Sequence, residues 1–157
     1  MNPFYNFILN DNNLQNPLVV VDVGAAGGID IPWRQYTDIA NILCFGFEPF
    51  PPNFDALKLQ NKVKYFPYAI SNNVGEGVFW GNSTEGFLDL GNNNEKELDV
   101  RFKKIIVHIE TLDNLCNEEV LPPIDIIKID SEGHEVAVLE GAERQLEKQT
   151  LFVKAEF

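Results

Sequence analysis

The chain has 157 residues, of which 45% are hydrophobic and 11% aromatic, and this composition is typical of one folded domain. It carries 24 acidic and 12 basic residues, and a surface with a formal net charge of −12 repels phosphate backbones, so nucleic acid is not an expected partner. It has no run of about 18 apolar residues and no basic start of a signal peptide, so neither a membrane span nor secretion is predicted. The two cysteines, Cys44 and Cys116, are too few for a disulfide framework, and a cytoplasmic protein is expected.

The first half of the chain alternates apolar runs with helical segments. Residues 1–16 are predicted to form a lead-in helix or a loose arm. Residues 18–23 are apolar and mostly β-branched, which is typical of a strand buried on both faces of a parallel sheet, and the glycine-rich residues 24–28 follow as a tight loop. The next predicted elements are a helix over 30–41, a strand over 42–48, a helix over 51–61 that begins at two prolines, and a strand over 63–70.

The second half repeats this alternation after a region of turns. A short strand is predicted over 77–80, and the Gly- and Asn-rich residues 81–94 are predicted to form an exposed loop, either a mobile lid or a surface insertion. The elements that follow are a strand over 105–109, a helix over 111–119 capped by Thr111, a strand over 124–130, a helix over 136–148 and a strand over 151–157. This order predicts a single α/β domain over residues 1–157, with a mostly parallel sheet and helices on both faces.

The loop after the first strand is the first candidate binding site, because open α/β sheets bind ligands at the carboxyl ends of their strands. Asp22, Gly24, Ala26 and Gly28 stand at every second position there, and small residues let a backbone approach a ligand closely. The dinucleotide fingerprint fails twice, since Ala26 and Ile29 occupy its second and third glycine positions, so a NAD-type oxidoreductase is a minor alternative. The cationic groups of S-adenosylmethionine would suit Asp22, and its carboxylate would suit the N-terminus of the next helix.

A second acid ends the predicted second strand. Glu48 lies twenty residues beyond Gly28, and an acid at that place can accept hydrogen bonds from both ribose hydroxyls of an adenosine ligand. The alternative interpretation of Glu48 is an acid that merely flanks the following helix. The third predicted strand ends near Ala69, where the backbone of Ala69 or Ser71 is expected to lie beside the adenine, while Tyr68 is expected to pack in the core.

The most informative segment is an apolar strand that ends in three acids, a glycine and a histidine. Buried charges need partners, so these side chains must face a cleft, a cation or water, and Lys128 is expected to pair with one of the acids. Three roles are open: Asp130 orients the methionine end of the cofactor, Glu132 or His134 accepts the proton of an acceptor hydroxyl, or the acids bind a divalent cation. A solvated helix N-terminus is the favoured interpretation of Glu135, and a surface position is the alternative for His134.

Four motifs, taken together and in order, resemble the FkbM-type methyltransferase family. They are residues 22–28, residues 47–49 with 53–54, residues 111–113, and residues 127–136 with 139–142. The resemblance runs from about Leu18 to Phe157. The first motif is shared by many methyltransferases, whereas the last, a strand that ends K-I-D-x-E-G-x-E before L-x-G-A, is much more specific to this family.

The resemblance implies a Rossmann-like class I methyltransferase fold and S-adenosylmethionine as the methyl donor. It also implies a role near the donor methyl for Asp130 and Glu132, and a hydroxyl of a sugar, a glycan or a small natural product as the expected acceptor. The first loop departs from many members, which have Asn and a β-branched residue where this chain has Ala26 and Gly27. Because the last predicted strand reaches Phe157, we expect the antiparallel strand pair that ends this fold to be lacking, and a truncated, non-catalytic module that binds a nucleoside or a protein is the main alternative.

The sequence thus provides a definite set of candidate site residues. The candidate catalytic residues are Asp130, Glu132 and His134, and the candidate cofactor-binding residues are Asp22, Gly24, Ala26, Gly28, Glu48 and Ala69. No metal ligands are assigned.

Overall fold

A computed structural model describes residues 16–29, 33–36, 41–60, 62–89 and 101–156. The strands in these ranges are β1 (Leu18–Val23), β2 (Ile42–Phe47), β3 (Val63–Phe66), β4 (Tyr68–Ile70), β5 (Gly75–Gly81), β6 (Gly86–Leu88), β7 (Lys103–Glu110), β8 (Ile126–Ile129) and β9 (Phe152–Ala155). The helices are α1 (Trp33–Tyr36), α2 (Pro51–Leu57), α3 (Leu112–Asn117), α4 (Glu135–Glu140) and α5 (Glu143–Lys148). The predicted lead-in segment, except Asn16, and most of the helix predicted over 30–41 lie outside the described residues.

The first sheet has the strand order β3-β2-β1-β8-β9, and in the described part of the chain all its neighbouring strands run parallel. Every residue of β1 and of β8 is buried, because helices cover both faces. Val19, Val21 and Val23 pack on one face with α3 and α4, whereas Leu18 and Val20 pack on the other with α1 and α2. The predicted α/β architecture, with a parallel sheet between two helical layers, is therefore confirmed.

A second, smaller sheet has the order β4-β7-β5-β6, in which β4 and β7 are parallel and the other pairs antiparallel. The prediction of one strand over 63–70 is wrong, because Pro67 has no backbone N–H and separates β3 in the first sheet from β4 in the second. The prediction of a loop over 81–94 is wrong at its start, where β6 pairs with β5 as a hairpin. Residues 90–94 lie outside the described residues.

The single helix predicted over 136–148 is also wrong, because α4 ends before Gly141 and α5 begins two residues later. A Cβ atom at Gly141 would lie 1.9 Å from the carbonyl oxygen of Ser71, so only glycine fits this contact between segments. The carboxylate of Asp113 then accepts hydrogen bonds from the N–H groups of Arg144 and Gln145, at 2.9 and 3.1 Å, and caps the start of α5. Tertiary contacts with the start of α3 therefore fix the break.

Candidate active site

A cleft opens at the carboxyl ends of the strands, where the strand order reverses between β1 and β8. Its volume, including the open mouth, is about 690 Å³. Seven of the nine predicted site residues line it: Gly24, Ala26, Glu48, Ala69, Asp130, Glu132 and His134. The fold therefore brings both groups of candidates, the cofactor-binding and the catalytic, into one cavity.

The loop after β1 is held by contacts with its neighbouring strands. Gly24 has a φ of +82°, and a Cβ atom there would lie 1.8 Å from the carbonyl oxygen of Asp130. The N–H groups of Gly24 and Ala25 both donate to the carbonyl oxygen of Phe47, at 3.1 and 3.0 Å. Glycine is thus required at position 24 by the close approach of β8, and half-buried Ala26 is left to face the cleft.

Asp22 and Gly28 lie outside the lining of the cleft, and both make structural contacts. Asp22 is 1% exposed, and the ammonium group of Lys128 lies 3.1 Å from its Oδ1 and 3.4 Å from Oδ2 of Asp130. The expected pairing of Lys128 with an acid is therefore confirmed. Gly28 has a φ of +91°, and a Cβ atom there would lie 2.3 Å from the guanidinium of Arg34. Cofactor binding by Asp22 and Gly28 stays a prediction.

Glu48 forms a buried, polar part of the cleft wall. It is 4% exposed, and its Oε1 accepts a 2.8 Å hydrogen bond from the N–H of Phe50, the residue that precedes α2. Burial raises the pKa of Glu48 to about 7, although the bonds from Phe50 and the Asn53 side chain oppose the increase. A ligand that donates further hydrogen bonds to this carboxyl would therefore lower its pKa and favour its ionised form.

The β5–β6 hairpin supplies one wall of the cleft, within the segment predicted to be either a mobile lid or a surface insertion. Thr84, Glu85 and Leu88 line the cleft together with aromatic residues that include Phe79. The turn is ordered by Asn82, whose Oδ1 accepts hydrogen bonds from the N–H and hydroxyl of Thr84 and from the N–H of Glu85, at 2.8 to 2.9 Å. This segment thus forms part of the cleft, and its interpretation as a mobile lid stays a prediction.

The loop between β8 and α4 has an unusual backbone. Glu132 and Gly133 have φ angles of +51° and +92°. Oε1 of Glu135 accepts hydrogen bonds from the N–H and hydroxyl of Ser131, at 3.1 and 3.2 Å, and from the N–H of Gly133, at 3.1 Å. Burial raises the pKa of the Glu135 carboxyl, but the N–H of Glu135 itself together with these Gly133 and Ser131 donors outweighs burial and holds the pKa below its ordinary value. Because Glu135 is 3% exposed, the interpretation of a solvated helix N-terminus is wrong.

His134 lines the cleft and is 8% exposed, so its interpretation as a surface residue is wrong. Its Nε2 lies 2.8 Å from the hydroxyl of Ser71, which is also buried. Burial lowers the pKa of His134, and the charge of Glu135 partly offsets this. The imidazole is therefore neutral at physiological pH. No local pattern in the sequence indicates the contact with the Ser71 side chain, because 63 residues separate the partners.

Comparison with known proteins identifies the family. A family model described as the methyltransferase FkbM domain matches residues 22–156. The chain belongs to the FkbM methyltransferase family. It is similar to the solved structure of methyltransferase FkbM from Methylobacillus flagellatus KT, with a TM-score of 0.54 and 15% identity, over 92% of this chain and 34% of that one. The chain thus spans about a third of that protein's length, and no curated protein matches it.

Membership in the FkbM family and this likeness give the chain a Rossmann-like class I methyltransferase fold, as expected from its motifs. The structure also explains the residues of the last motif physically. Lys128 pairs with Asp22 and Asp130 across β1 and β8. Glu135 holds the loop that carries Glu132. The motif therefore specifies an ordered set of acids at the end of β8.

Among the described residues, no three His, Cys, Asp or Glu side chains form a group that could hold a metal ion. The same residues include no helix long and apolar enough to cross a membrane. Both cysteines are free, and burial raises the pKa of Cys44 to about 12 and that of Cys116 to about 11, so the thiols stay protonated and unreactive.

Proposed function

We propose that this chain binds S-adenosylmethionine in the cleft and transfers its methyl group to a hydroxyl of a sugar, a glycan or a small natural product. One observation carries the proposal: buried Glu48 lines the same cavity as Asp130, Glu132 and His134. A single adenosine ligand can therefore meet an acceptor for its ribose hydroxyls and, in the same cleft, a set of acids and a neutral imidazole.

The charge of the cleft favours S-adenosylmethionine over a dinucleotide. Its described lining includes the carboxyl groups of Glu48, Glu85, Asp130 and Glu132, and it includes no Lys or Arg. Opposite charges attract strongly in a partly enclosed site, so the sulfonium and ammonium groups of S-adenosylmethionine suit this lining. The two phosphates of NAD would be repelled by it, which adds an electrostatic argument to the failed glycine pattern.

Each part of the cofactor has a suitable part of the wall. Glu48 would accept hydrogen bonds from the ribose hydroxyls, and its raised pKa would fall as it did so. The backbone near Ala69 and the ring of Phe79 would border the adenine. The methionine end would lie near Ala26 and Asp130, whose carboxylate is held by Lys128.

The bound cofactor supplies an electrophilic methyl group, and the protein must position the acceptor hydroxyl and receive its proton. His134 is neutral and lines the cleft, so a ring nitrogen can accept that proton. If the Ser71 hydroxyl accepts the hydrogen of Nε2, then Nδ1 is the accepting atom. Glu132 is the other candidate, and a general base would contribute about 10²–10⁴-fold to the rate.

The acidic lining of the cleft should also favour an uncharged acceptor over an anionic one. A phosphorylated or carboxylated acceptor would be repelled by Glu85 and Glu132 at the cleft, whereas a neutral hydroxyl compound would use them as hydrogen-bond acceptors.

We place the reaction in the cytoplasm, which agrees with the two free cysteines.

Calorimetric titration of the full chain with S-adenosylmethionine, S-adenosylhomocysteine and NAD tests the proposal. We expect saturable binding of the first two and none of NAD. Glu48→Gln should weaken binding by about 10–100-fold, because hydrogen bonds to a charged group contribute about 1.5–3 kcal/mol. Glu76→Gln, at an exposed position of β5 outside the cleft lining, is the matched control and should change affinity little.

Transfer of a labelled methyl group to neutral and acidic sugars then tests the reaction. Labelling of neutral hydroxyl compounds supports the proposal. Binding without transfer to any hydroxyl compound would favour the non-catalytic, nucleoside-binding alternative. A folded chain that binds neither adenosyl compound would contradict both.

A further inference from the structure

Glu132 has a backbone conformation that a side chain makes costly. Its φ of +51° lies in the left-handed region, where a residue other than glycine is disfavoured by roughly tenfold. The three described non-glycine residues with positive φ are all exposed, but Lys62 and Glu119 lie outside the cleft, whereas Glu132 lines it. Strained residues persist where the surrounding structure holds them, and they concentrate at functional sites.

Glu135 provides the contacts that hold this conformation. Its Oε1 accepts hydrogen bonds from the N–H groups of Ser131 and Gly133, the residues on either side of Glu132. The hydroxyl of Ser131 donates to the same oxygen. One carboxylate therefore holds both ends of the strained residue, in the way that an anion is bound by successive backbone N–H groups.

The carboxylate of Glu135 is itself anchored to the body of the domain. Glu135 is the first residue of α4, which buries Val138 completely in the core. The helix ends at Gly141, which packs directly on the Ser71 carbonyl. Glu135 thus belongs to a helix that is packed in the core, and its carboxylate joins the loop to that helix.

We propose that Glu135 is a positioning residue, whose buried carboxylate keeps the turn at Ser131–Gly133 left-handed and so holds Glu132 at the cleft to contact the acceptor. The acceptor contact rests on the proposed function, whereas the conformational role does not. If Glu135 only capped the loop, Glu132 and Glu135 would contribute to folding and activity independently.

The conformational role is tested by comparing Glu132→Gly with Glu132→Ala in two backgrounds by denaturant unfolding. Where Glu135 is present, glycine relieves the strain that alanine retains, so we expect a folding constant about five- to tenfold larger for the glycine variant. In the Glu135→Ala background the turn is free to relax, and the advantage of glycine should disappear. An equal advantage in both backgrounds would overturn the proposal.

The functional role is tested by methyl transfer under saturating cofactor. We expect Glu135→Ala to lower kcat by about 10–100-fold, as Glu132→Ala does, with little change in KM for S-adenosylmethionine. Glu135→Gln should recover most of the rate, because its amide oxygen can accept the same hydrogen bonds. The double variant should be no slower than Glu132→Ala alone.

Glu143→Ala, at the exposed first residue of α5, is the control and should alter neither stability nor rate. A chain that bound no S-adenosylmethionine would contradict the proposed function, and the unfolding comparison would still decide whether Glu135 holds Glu132. Additive losses of rate in the double variant, or a Glu135→Ala variant with full kcat, would overturn the positioning role.

Discussion

The two sides of the cleft differ in how they hold their functional groups. On the β2 side, Glu48 accepts a hydrogen bond from the N–H two residues away, and burial favours its neutral form. On the β8 side, Asp130 is held by the ammonium of Lys128, and His134 contacts the hydroxyl of Ser71. The β2 side thus presents a nearly neutral group held by a contact that is close in sequence. The β8 side presents charged groups and a strained backbone, and its contacts come from segments distant in sequence.

This difference indicates that the two sides of the cavity have different functions, one in binding and the other in reaction. A carboxyl that ionises as it receives donors is suited to binding, since the ligand completes its hydrogen bonds. A set of groups fixed before the ligand arrives is suited to reaction, because preorganised groups need little rearrangement in the transition state. Changes at Glu48 on the β2 side should therefore affect cofactor affinity, whereas changes at Glu132 or His134 on the β8 side should affect turnover.

Lys128→Met should have the largest effect, because it leaves the buried carboxylate of Asp22 without its ammonium partner. Breaking a buried ion pair costs about 3–5 kcal/mol, and urea unfolding at pH 8 would measure it. Lys154 is the matched control, since it pairs in register with Lys128 on β9 but is 43% exposed in an ion pair with Glu156. Lys154→Met should cost less than about 1 kcal/mol.

Addition of Asp22→Asn to Lys128→Met tests the cause of that loss. The double variant also removes the buried charge that lost its ammonium partner, so it should recover part of the stability. Equal losses for Lys128→Met and Lys154→Met would show that the pair of Asp22 and Lys128 does not stabilise the junction of β1 and β8. Lys128 on the β8 side would then contribute no more to the free energy of unfolding than an exposed lysine does.

Gly24→Ala tests the contact that joins the two sides. Its φ of +82° and the 1.8 Å approach of the new Cβ atom to a backbone carbonyl cannot both be relieved locally. Left-handed strain and overpacking together predict a loss of about 3–4 kcal/mol in the free energy of unfolding. Gly27→Ala is the control, because a Cβ atom there has nothing within 4 Å. Similar unfolding midpoints for the two variants would contradict the packing argument.

Much of the fold follows from local patterns in the sequence. The fully buried strands β1 and β8 are continuous apolar runs, and this pattern does not depend on the rest of the chain. Two of the errors have a shared cause, since the predicted strand over 63–70 and the predicted helix over 136–148 each contain a residue that breaks them. Both residues provide a usable signal: Pro67 interrupts a strand ladder, and a glycine such as Gly141 frequently ends a helix.

The candidate site was predictable where the chemistry follows a strand end, as at Glu48 and Asp130. The site was not predictable where a side chain is contacted by a residue that is distant in the sequence. The 63 residues between Ser71 and His134 leave no local pattern to detect. Glu135 was visible as an acid at a helix start, but that position does not reveal that its carboxylate turns back to bind the preceding loop.

Glu48→Gln tests the neutral character of the β2 side through the pH dependence of stability. The pKa of Glu48 is about 7 in the folded chain and near 4.5 when unfolded, so the folded state holds its proton more tightly. The contribution of Glu48 to stability is thus complete below pH 4.5 and is lost as the pH rises through 7. The glutamine amide cannot ionise, so the variant should become more stable than the wild type by about 3 kcal/mol at pH 8.

The same comparison contains its own control. Below pH 4.5 the Glu48 carboxyl, like the glutamine amide, is largely neutral in both the folded and the unfolded state, so the two unfolding curves should nearly coincide. If the difference did not grow between pH 5 and 8, Glu48 would be ionised in the free cleft. The contrast between a nearly neutral binding side and a charged reactive side would then fail.

Ser71→Ala should have the smallest effect on stability, and it separates the two sides most sharply. Loss of the hydroxyl leaves the buried Nε2 of His134 without its 2.8 Å partner, at a cost of about 1–3 kcal/mol, with the lower end expected because the open cleft can admit water. Ser83→Ala, on the exposed hairpin turn, is the control and should be neutral.

The effect of Ser71→Ala on function should fall on one side only. Because Ser71 contacts His134 and does not line the cleft, its loss should lower kcat while affinity for S-adenosylmethionine, measured by titration, stays within about threefold. Since the pKa of His134 is lowered by burial, the unfolded chain takes up the proton first as pH falls below 6.5, and stability falls with it. His134→Gln should lack that fall. If Ser71→Ala instead weakened cofactor binding and left kcat unchanged, His134 would act in cofactor binding. The assignment of binding to the β2 side and of reaction to the β8 side would then be wrong.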